Sequence, residues 1–268
     1  MGSGSRRDGR DVELLVGIHP IREALRAGRR RLDRLVVRAQ DRTPRPELAA
    51  LLELARAGGV PIAEFEPDRF DRLAPSDLPH QGAALEAGPL PNVELAELGA
   101  MPGPGWLVAL DGIEDPRNVG AILRIAEAAG VRGALLPERR AAPLTPVVAR
   151  SSAGALEHLP VASVTNLARA LETLKKDHDY WVHAAEPAAD RDLYELPDRL
   201  LDGRLVLVLG AEGKGVRPGV RGAVDVFVRI PMAGAIESLN VSAAAAVVLF
   251  EWARRARTRS GVSGGERA

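Results

Sequence analysis

Three short stretches of this 268-residue chain carry polar side chains where an apolar, strand-like run stops and a helix begins. The first is Asp111-Gly-Ile-Glu-Asp115-Pro116-Arg117-Asn118-Val119-Gly120, leading into a helix that bears Arg124. The second is Leu209-Gly210-Ala-Glu212-Gly213-Lys214-Gly215, and the third runs from Ile230 through Pro231, Met232, Ser238, Leu239 and Asn240 to Ser242. Glycine permits close backbone approach and proline removes a backbone donor, so such loops are able to lie against a ligand. Ser and Asn at a helix start add polar groups beside free backbone N–H groups. Asn118 and Arg124 fall within two helical turns and are expected on roughly one helix side. A lone glycine cluster is as often a turn as a site, but three polar loops at three strand ends of one sheet point to a site. The second loop is not a P-loop, because the spacing to Lys and the following Ser/Thr are absent. Nor does a dinucleotide fingerprint follow the first strand of this region, where Asp-Pro-Arg-Asn stands instead.

The elements that must hold these loops are legible as alternating runs. Strands are predicted over 107–110, 133–136, 161–164, 180–184, 205–209 and 225–230. Helices are predicted over 118–129, 145–155, 166–176, 218–222 and 239–257. Near-continuous Val/Leu strands between helices predict a mostly parallel buried sheet, with ligands at the C-terminal ends of its strands. Upstream, helices over 20–27, 47–57 and 67–73 alternate with strands over 32–38, 60–65 and 82–86, which predicts a smaller α/β unit. Prolines and glycines over 88–105 separate the two. The expected organisation is a disordered tail (1–12, its Met-Gly-Ser-Gly-Ser start a flexible tail or cloning scar), an N-terminal unit (13–87), a Pro/Gly-rich linker (88–105), a larger α/β domain (106–258) and a second disordered tail (259–268).

Composition narrows the chemistry. There is no cysteine, which excludes disulfides, thiolate nucleophiles and Cys-based zinc sites. The five histidines are scattered without metal-ligand spacing, so no metal is expected. No apolar run reaches membrane-span length and no signal peptide is visible, which suits a cytoplasmic protein. Thirty-six basic residues balance 36 acidic ones. Locally the balance fails: Arg22, Arg26, Arg29, Arg30, Arg31, Arg34 and Arg38 face only Glu23 and Asp33 between positions 22 and 38. Such a run is able to grip phosphates, and Arg22, Arg26, Arg29, Arg30 and Arg31 are the candidate nucleic-acid contacts. The arginines that end the last helix read instead as cations suited to a helix C-terminus.

Asp115-Pro-x-Asn118-x-Gly120-x-x-x-Arg124, Gly210-x-Glu212-x-x-Gly215 and Ile230-Pro-Met-x-Gly-x-x-x-Ser238-Leu-Asn240-Val-Ser closely resemble, in order, the three signature motifs of the SpoU branch of SPOUT RNA methyltransferases. The resemblance covers about residues 106 to 256. It implies S-adenosylmethionine-dependent methylation of a ribose 2′-hydroxyl, a deep trefoil knot in the C-terminal part of the sheet and a homodimer. Val16-Gly-Ile-His-Pro-Ile-Arg-Glu-Ala-Leu and His80-Gln-Gly82 resemble the ribosomal-protein-like RNA-binding domain that precedes the methyltransferase domain in bacterial 23S ribosomal RNA guanosine 2′-O-methyltransferases. RNA, as 23S rRNA or a ribosome precursor, is therefore the implied partner.

The resemblance also assigns roles. Arg124 occupies the family's catalytic position. Because arginine keeps its proton in proteins, we read it as binding the target phosphate and stabilising the developing alkoxide, with phosphate-assisted proton transfer as the alternative. Asn118, Glu212, Ser238 and Asn240 complete the expected catalytic set, with Glu212 organising the loops near Arg124 and Asn118. Leu209, Gly210, Ile230 and Leu239 are expected to meet the cofactor through their backbone, and Met232 to sit near its adenine. Ordinary readings stand beside these: Arg124 in a surface ion pair, Asn118, Ser238 and Asn240 as helix caps, Glu212 as a solvated loop charge. Competing functions are a transfer-RNA 2′-O-methyltransferase, a non-catalytic RNA-binding ribosome-assembly factor and, last, a small-molecule methyltransferase.

Overall fold

The computed structural model describes residues 5–7, 10–39, 45–74, 80–139 and 141–259. The rest of both expected tails, 1–4, 8–9 and 260–268, lies outside the described residues. Two compact units are present: residues 1–91 with 144–158, and residues 92–143 with 159–268.

The first unit begins with β1 (Ser5–Arg7), β2 (Arg10–Val16), α1 (Ile18–Ala27), β3 (Leu32–Arg38), α2 (Pro46–Ala57), β4 (Ile62–Phe65), α3 (Pro67–Leu73) and β5 (Ala83–Ala87). The strands form one mixed sheet in the order β1-β2-β5-β3-β4, in which only β3 and β4 run parallel. Two strands therefore occupy part of the expected tail. Arg10 and Asp11 hide β2 from a hydrophobicity reading, although Leu14, Leu15 and Val16 pair with β5 in regular antiparallel register. Pro46 and Pro67 start α2 and α3, where their missing N–H costs nothing. Val36, Phe65, Phe70, Ala74 and Ala84 pack as a core cluster.

The second unit opens with α4 (Leu95–Gly99), inside the span expected as linker. Prolines on both sides disguise it, yet Leu98 is fully buried in the main core. Then come β6 (Gly105–Asp111), α5 (Pro116–Ala128) and β7 (Gly133–Pro137). Next the chain supplies α6 (Pro146–Ser151) and α7 (Ala155–His158) to the first unit, where α7 packs on α1 and α6 on β2. One helix was expected over 145–155, but Ala153 and Gly154 adopt positive φ and split it. The second unit resumes with β8 (Val161–Val164), α8 (Leu167–His178), β9 (Tyr180–Ala185), β10 (Arg191–Asp192), β11 (Arg204–Gly210), α9 (Pro218–Arg221), β12 (Val226–Arg229) and α10 (Val241–Arg259). Its seven strands run in the order β10-β12-β9-β11-β6-β7-β8, every neighbouring pair parallel. The sheet is thus wholly parallel, as fully buried apolar strands favour. Leu171 and Leu174 of α8 join the core with Val182, Val206 and Val208, while α10 packs against α5 and β11.

Arg30 does not face solvent. Its side chain is 2% exposed and meets Glu157, 1% exposed, through Nε and Nη2 at 2.9 Å each. Nη1 also donates to Glu13 and to the Gly88 carbonyl. The expectation that Arg30 contacts RNA is corrected: its donors are used inside the first unit. Others of the run are engaged too: Arg29 with the Glu157 carbonyl, Arg22 and Arg26 with Glu23, Arg31 with Asp33, Arg34 with Glu86 and Arg38 with Asp71. Glu13, Asp71, Glu86 and Glu157 from outside the run add to Glu23 and Asp33 in balancing it.

His183 on β9 is fully buried edge-on to Trp252 of α10, with ring centroids 5.4 Å apart. Neither ring nitrogen makes a hydrogen bond of normal geometry. Burial pushes its pKa from 6.5 down to about 4, although Asp225 and the Leu200 backbone favour the proton. The unfolded chain therefore binds this proton more readily than the folded one. The stability from a neutral His183 is full above about pH 6.5 and declines as pH falls towards 4. The loss approaches roughly 3 kcal/mol. Urea titrations from pH 7 to 4 should show it, and His183→Leu should remove that part of the slope.

Candidate active site

β6 and β11 lie side by side with Gly210 opposite Asp111, so the first two loops start from adjacent strand ends. Asp115 caps α5 by accepting the Arg117 N–H at 2.8 Å, and Pro116 follows at the first helical position. This sets Asn118 on the first turn. The third loop, 231–240, is exposed throughout and ends where α10 begins.

Three side chains from the three loops converge. Glu212 Oε1 accepts from Asn240 Nδ2 at 2.6 Å, from Asn118 Nδ2 at 3.3 Å and from the Val241 N–H at 3.4 Å. Asn240 Nδ2 also donates to Asn118 Oδ1 at 3.2 Å. Asn240 Oδ1 accepts from the Ser242 N–H and hydroxyl at 2.9 and 2.6 Å. This network fixes the orientation of both amides: each presents its NH₂ to the carboxylate. Glu212, although exposed, is therefore a junction between the loops. Asn240 caps α10 and belongs to the trio at once.

Beside the trio opens a cavity of about 570 Å³. Leu209, Gly210, Ile230, Met232 and Leu239, all expected to meet a cofactor, line it, and Ser238 lies on its wall. Ser238 makes no hydrogen bond to the trio among the described residues. Ala185, Glu186 and Pro187, at the end of β9, were missed by the sequence reading. The volume falls within the range of small-molecule sites. Apolar walls with Glu186, Glu212 and Glu237 suit a ligand that combines an aromatic group with positive charge, as S-adenosylmethionine does.

Arg124 stands apart. Six residues at 3.6 per turn place it about 120° around α5 from Asn118, so the two do not share a side. It is exposed and makes no ion pair or hydrogen bond among the described residues. The ordinary reading of a surface ion pair finds no partner there. An exposed guanidinium with its donors free among the described residues suits a phosphate or an oxyanion.

Gly210 has a different constraint from the one expected. A Cβ there would lie 2.2 Å from the Gly215 carbonyl carbon and 2.5 Å from the Val216 nitrogen. The backbone it must approach is that of its own loop, closed by the Gly215 N–H on the Ala211 carbonyl at 2.9 Å. Gly210→Val should therefore displace the Glu212 loop, and calorimetry should find cofactor affinity reduced by at least about tenfold.

Residues 105–250 match the model of the SpoU rRNA Methylase family, and residues 14–93 match a domain described as RNA 2′-O ribose methyltransferase substrate binding. The chain is 39% identical over 245 residues to the 23S rRNA (guanosine-2′-O-)-methyltransferase RlmB of Ralstonia nicotianae, covering 91% of this chain and 96% of that one. Its identity to the enzyme of that name from Pseudomonas aeruginosa is 38%, covering 91% and 96%. A solved RNA 2′-O ribose methyltransferase superposes with a TM-score of 0.74 at 30% identity, covering 94% of this chain and 91% of that one. The SpoU methyltransferase AviRb of Streptomyces viridochromogenes, solved with AdoMet, shares the fold with a TM-score of 0.77 at 24% identity, covering 94% of each chain. The chain belongs to the SpoU rRNA methylase family.

Proposed function

We propose that this enzyme transfers a methyl group from S-adenosylmethionine to the ribose 2′-hydroxyl of a guanosine in 23S rRNA. The observation that carries the reading is the Asn118–Glu212–Asn240 trio, which ties three loops together beside a cavity with apolar walls and carboxylates. Leu209, Gly210, Ile230, Met232 and Leu239 hold the cofactor. When bound, it supplies an electrophilic methyl on a sulfonium. Glu212 keeps the loops in register, so that the hydroxyl and the methyl meet in line without loop rearrangement. Arg124 binds the phosphate beside the target ribose and stabilises negative charge as the hydroxyl loses its proton. Ser238 contributes a hydroxyl at the cavity wall.

Recognition belongs to the first unit. Arg22, Arg26 and Arg31 remain part of its surface, and the exposed Arg31–Asp33 pair gives way most readily to phosphates. The second unit forms a trefoil knot and pairs with a second copy. In support, α10 returns to pack on α5 and β11 after the chain has passed β12. Met232, Ile236, Leu239 and Phe250 are large apolar side chains left exposed on the third loop and α10. No described helix is long and apolar enough to cross a membrane, and we place the enzyme in the cytoplasm with its RNA.

The test is methyl transfer from labelled S-adenosylmethionine to unmodified 23S rRNA and to unmodified tRNA, followed by mapping of the modified ribose. Label in a single 23S rRNA guanosine is the expected result. Label confined to tRNA, or none in either, would overturn the target assignment or the activity respectively.

A further inference from the structure

The geometry points to Asp111 and Glu186 as positioning residues for cofactor binding, two carboxylates that moor the Glu212 loop from the strands on either side of it. β11 lies between β6 and β9. Each of these neighbours meets the loop that follows β11 with an acid. Asp111, the last residue of β6, is fully buried. Its Oδ2 accepts the Arg217 backbone N–H at 2.7 Å and its Oδ1 the Arg217 Nε at 2.5 Å. Glu186, just past β9, accepts the Val216 N–H at 3.2 Å and pairs with Arg221 at 2.6 Å.

Consecutive backbone amides, those of Val216 and Arg217, are thus held by carboxylates from opposite sides. The moorings are themselves fixed. The Glu186 N–H donates to the Val228 carbonyl at 2.9 Å, and Asp111 sits in β-register with Gly210. Arg221 stacks on Phe227, its guanidinium carbon 4.5 Å from the ring centroid, which holds the partner of Glu186 in place. Between Gly210 and these amides lie only five residues, among them Glu212. If Val216 and Arg217 drift, Glu212 leaves Asn118 and Asn240, and the wall formed by Gly210–Gly215 goes with it. Glu186 also lines the cavity, so its mooring stands at the ligand's edge. Asp111 does not line the cavity and acts through the loop, as does the hold of Glu186 on the Val216 N–H. The inference rests on the cavity being the S-adenosylmethionine site.

Calorimetry with S-adenosylmethionine on the full chain tests it, using Glu186→Ala, Glu186→Gln and Asp111→Asn. Glu186→Ala is expected to weaken binding roughly ten- to a hundredfold, the worth of a hydrogen bond to a charged acceptor. Glu186→Gln keeps an acceptor for the Val216 N–H and should recover most of the affinity. Limited proteolysis with a lysine-specific protease reads loop position separately. The chain has only three lysines, Lys175 and Lys176 on α8 and Lys214 in the loop. Selectively faster cleavage at Lys214 in Glu186→Ala and Asp111→Asn, slowed by the cofactor, is the expected pattern. Equal acceleration at all three lysines would mean general destabilisation and would overturn the inference. So would wild-type affinity in both Glu186→Ala and Asp111→Asn, or no recovery in Glu186→Gln. A wild-type chain that fails to bind S-adenosylmethionine overturns the cofactor-site reading as well, which the other outcomes leave standing.

Discussion

Arg124→Ala should reduce methyl transfer by at least about a hundred- to a thousandfold, the usual cost of removing one oriented charge stabiliser. Affinity for S-adenosylmethionine and thermal stability should stay close to wild type. The split follows from where the residue sits. Its side chain is exposed, makes no ion pair or hydrogen bond among the described residues, and does not line the cavity. Little folding energy or cofactor binding depends on it. Single-turnover rates with saturating cofactor, alongside calorimetry, check both halves. A near-wild-type rate removes Arg124 from the chemistry. Lost cofactor binding would show that it shapes the cavity. Arg124→Lys separates charge from geometry: a single ammonium cannot reproduce the guanidinium fork, so only partial activity is expected.

Arg30→Met should destabilise the chain by about 3–5 kcal/mol, as breaking one side of a buried ion pair does. Glu157 would be left buried with its strongest partner gone. Burial already pushes its carboxyl pKa up, and Arg30 supplies the largest opposing pull. Chemical denaturation measures the loss. Arg30→Met combined with Glu157→Leu should regain most of it, because two apolar groups replace two desolvated charges. Replacing Arg29, Arg30 and Arg31 together would therefore confound RNA affinity with unfolding. Arg31→Ala alone, at an exposed pair with Asp33, is the cleaner probe of phosphate contact.

The contrast between these two arginines shows what was legible in the sequence. Glu212 and Asn240 stand in short loops after strands, and Asn118 and Arg124 on the helix that follows the first loop, where motif spacing marks all four. Glu212 was expected beside Asn118 and Arg124; the structure joins it to Asn118 and Asn240, and Arg124 bonds to none of them. The place of Arg30 could not be anticipated, because its partner, Glu157, comes from between an expected helix and an expected strand of the other domain. Asp111 and Glu186 carried a faint signal: each is an acid directly after a run of apolar strand residues, where desolvation demands a partner. α4 was lost because prolines and glycines on both sides outweighed the apolar Leu95 and Leu98. A polypeptide beginning near Gly103 would lack Leu98 from the main core and Val93, whose N–H bonds to the Val161 carbonyl. It is therefore a poor test of what each unit does.

Glu157 lies 127 residues beyond Arg30 in the chain. During synthesis at about 5–20 residues per second, the guanidinium waits on the order of ten seconds for its carboxylate. α6 and α7, which pack on β2 and α1, arrive equally late. The amino-terminal unit therefore cannot mature vectorially, as an ordinary leading domain would. It must remain unfinished on the ribosome until the start of the catalytic sheet, through β7, has been translated.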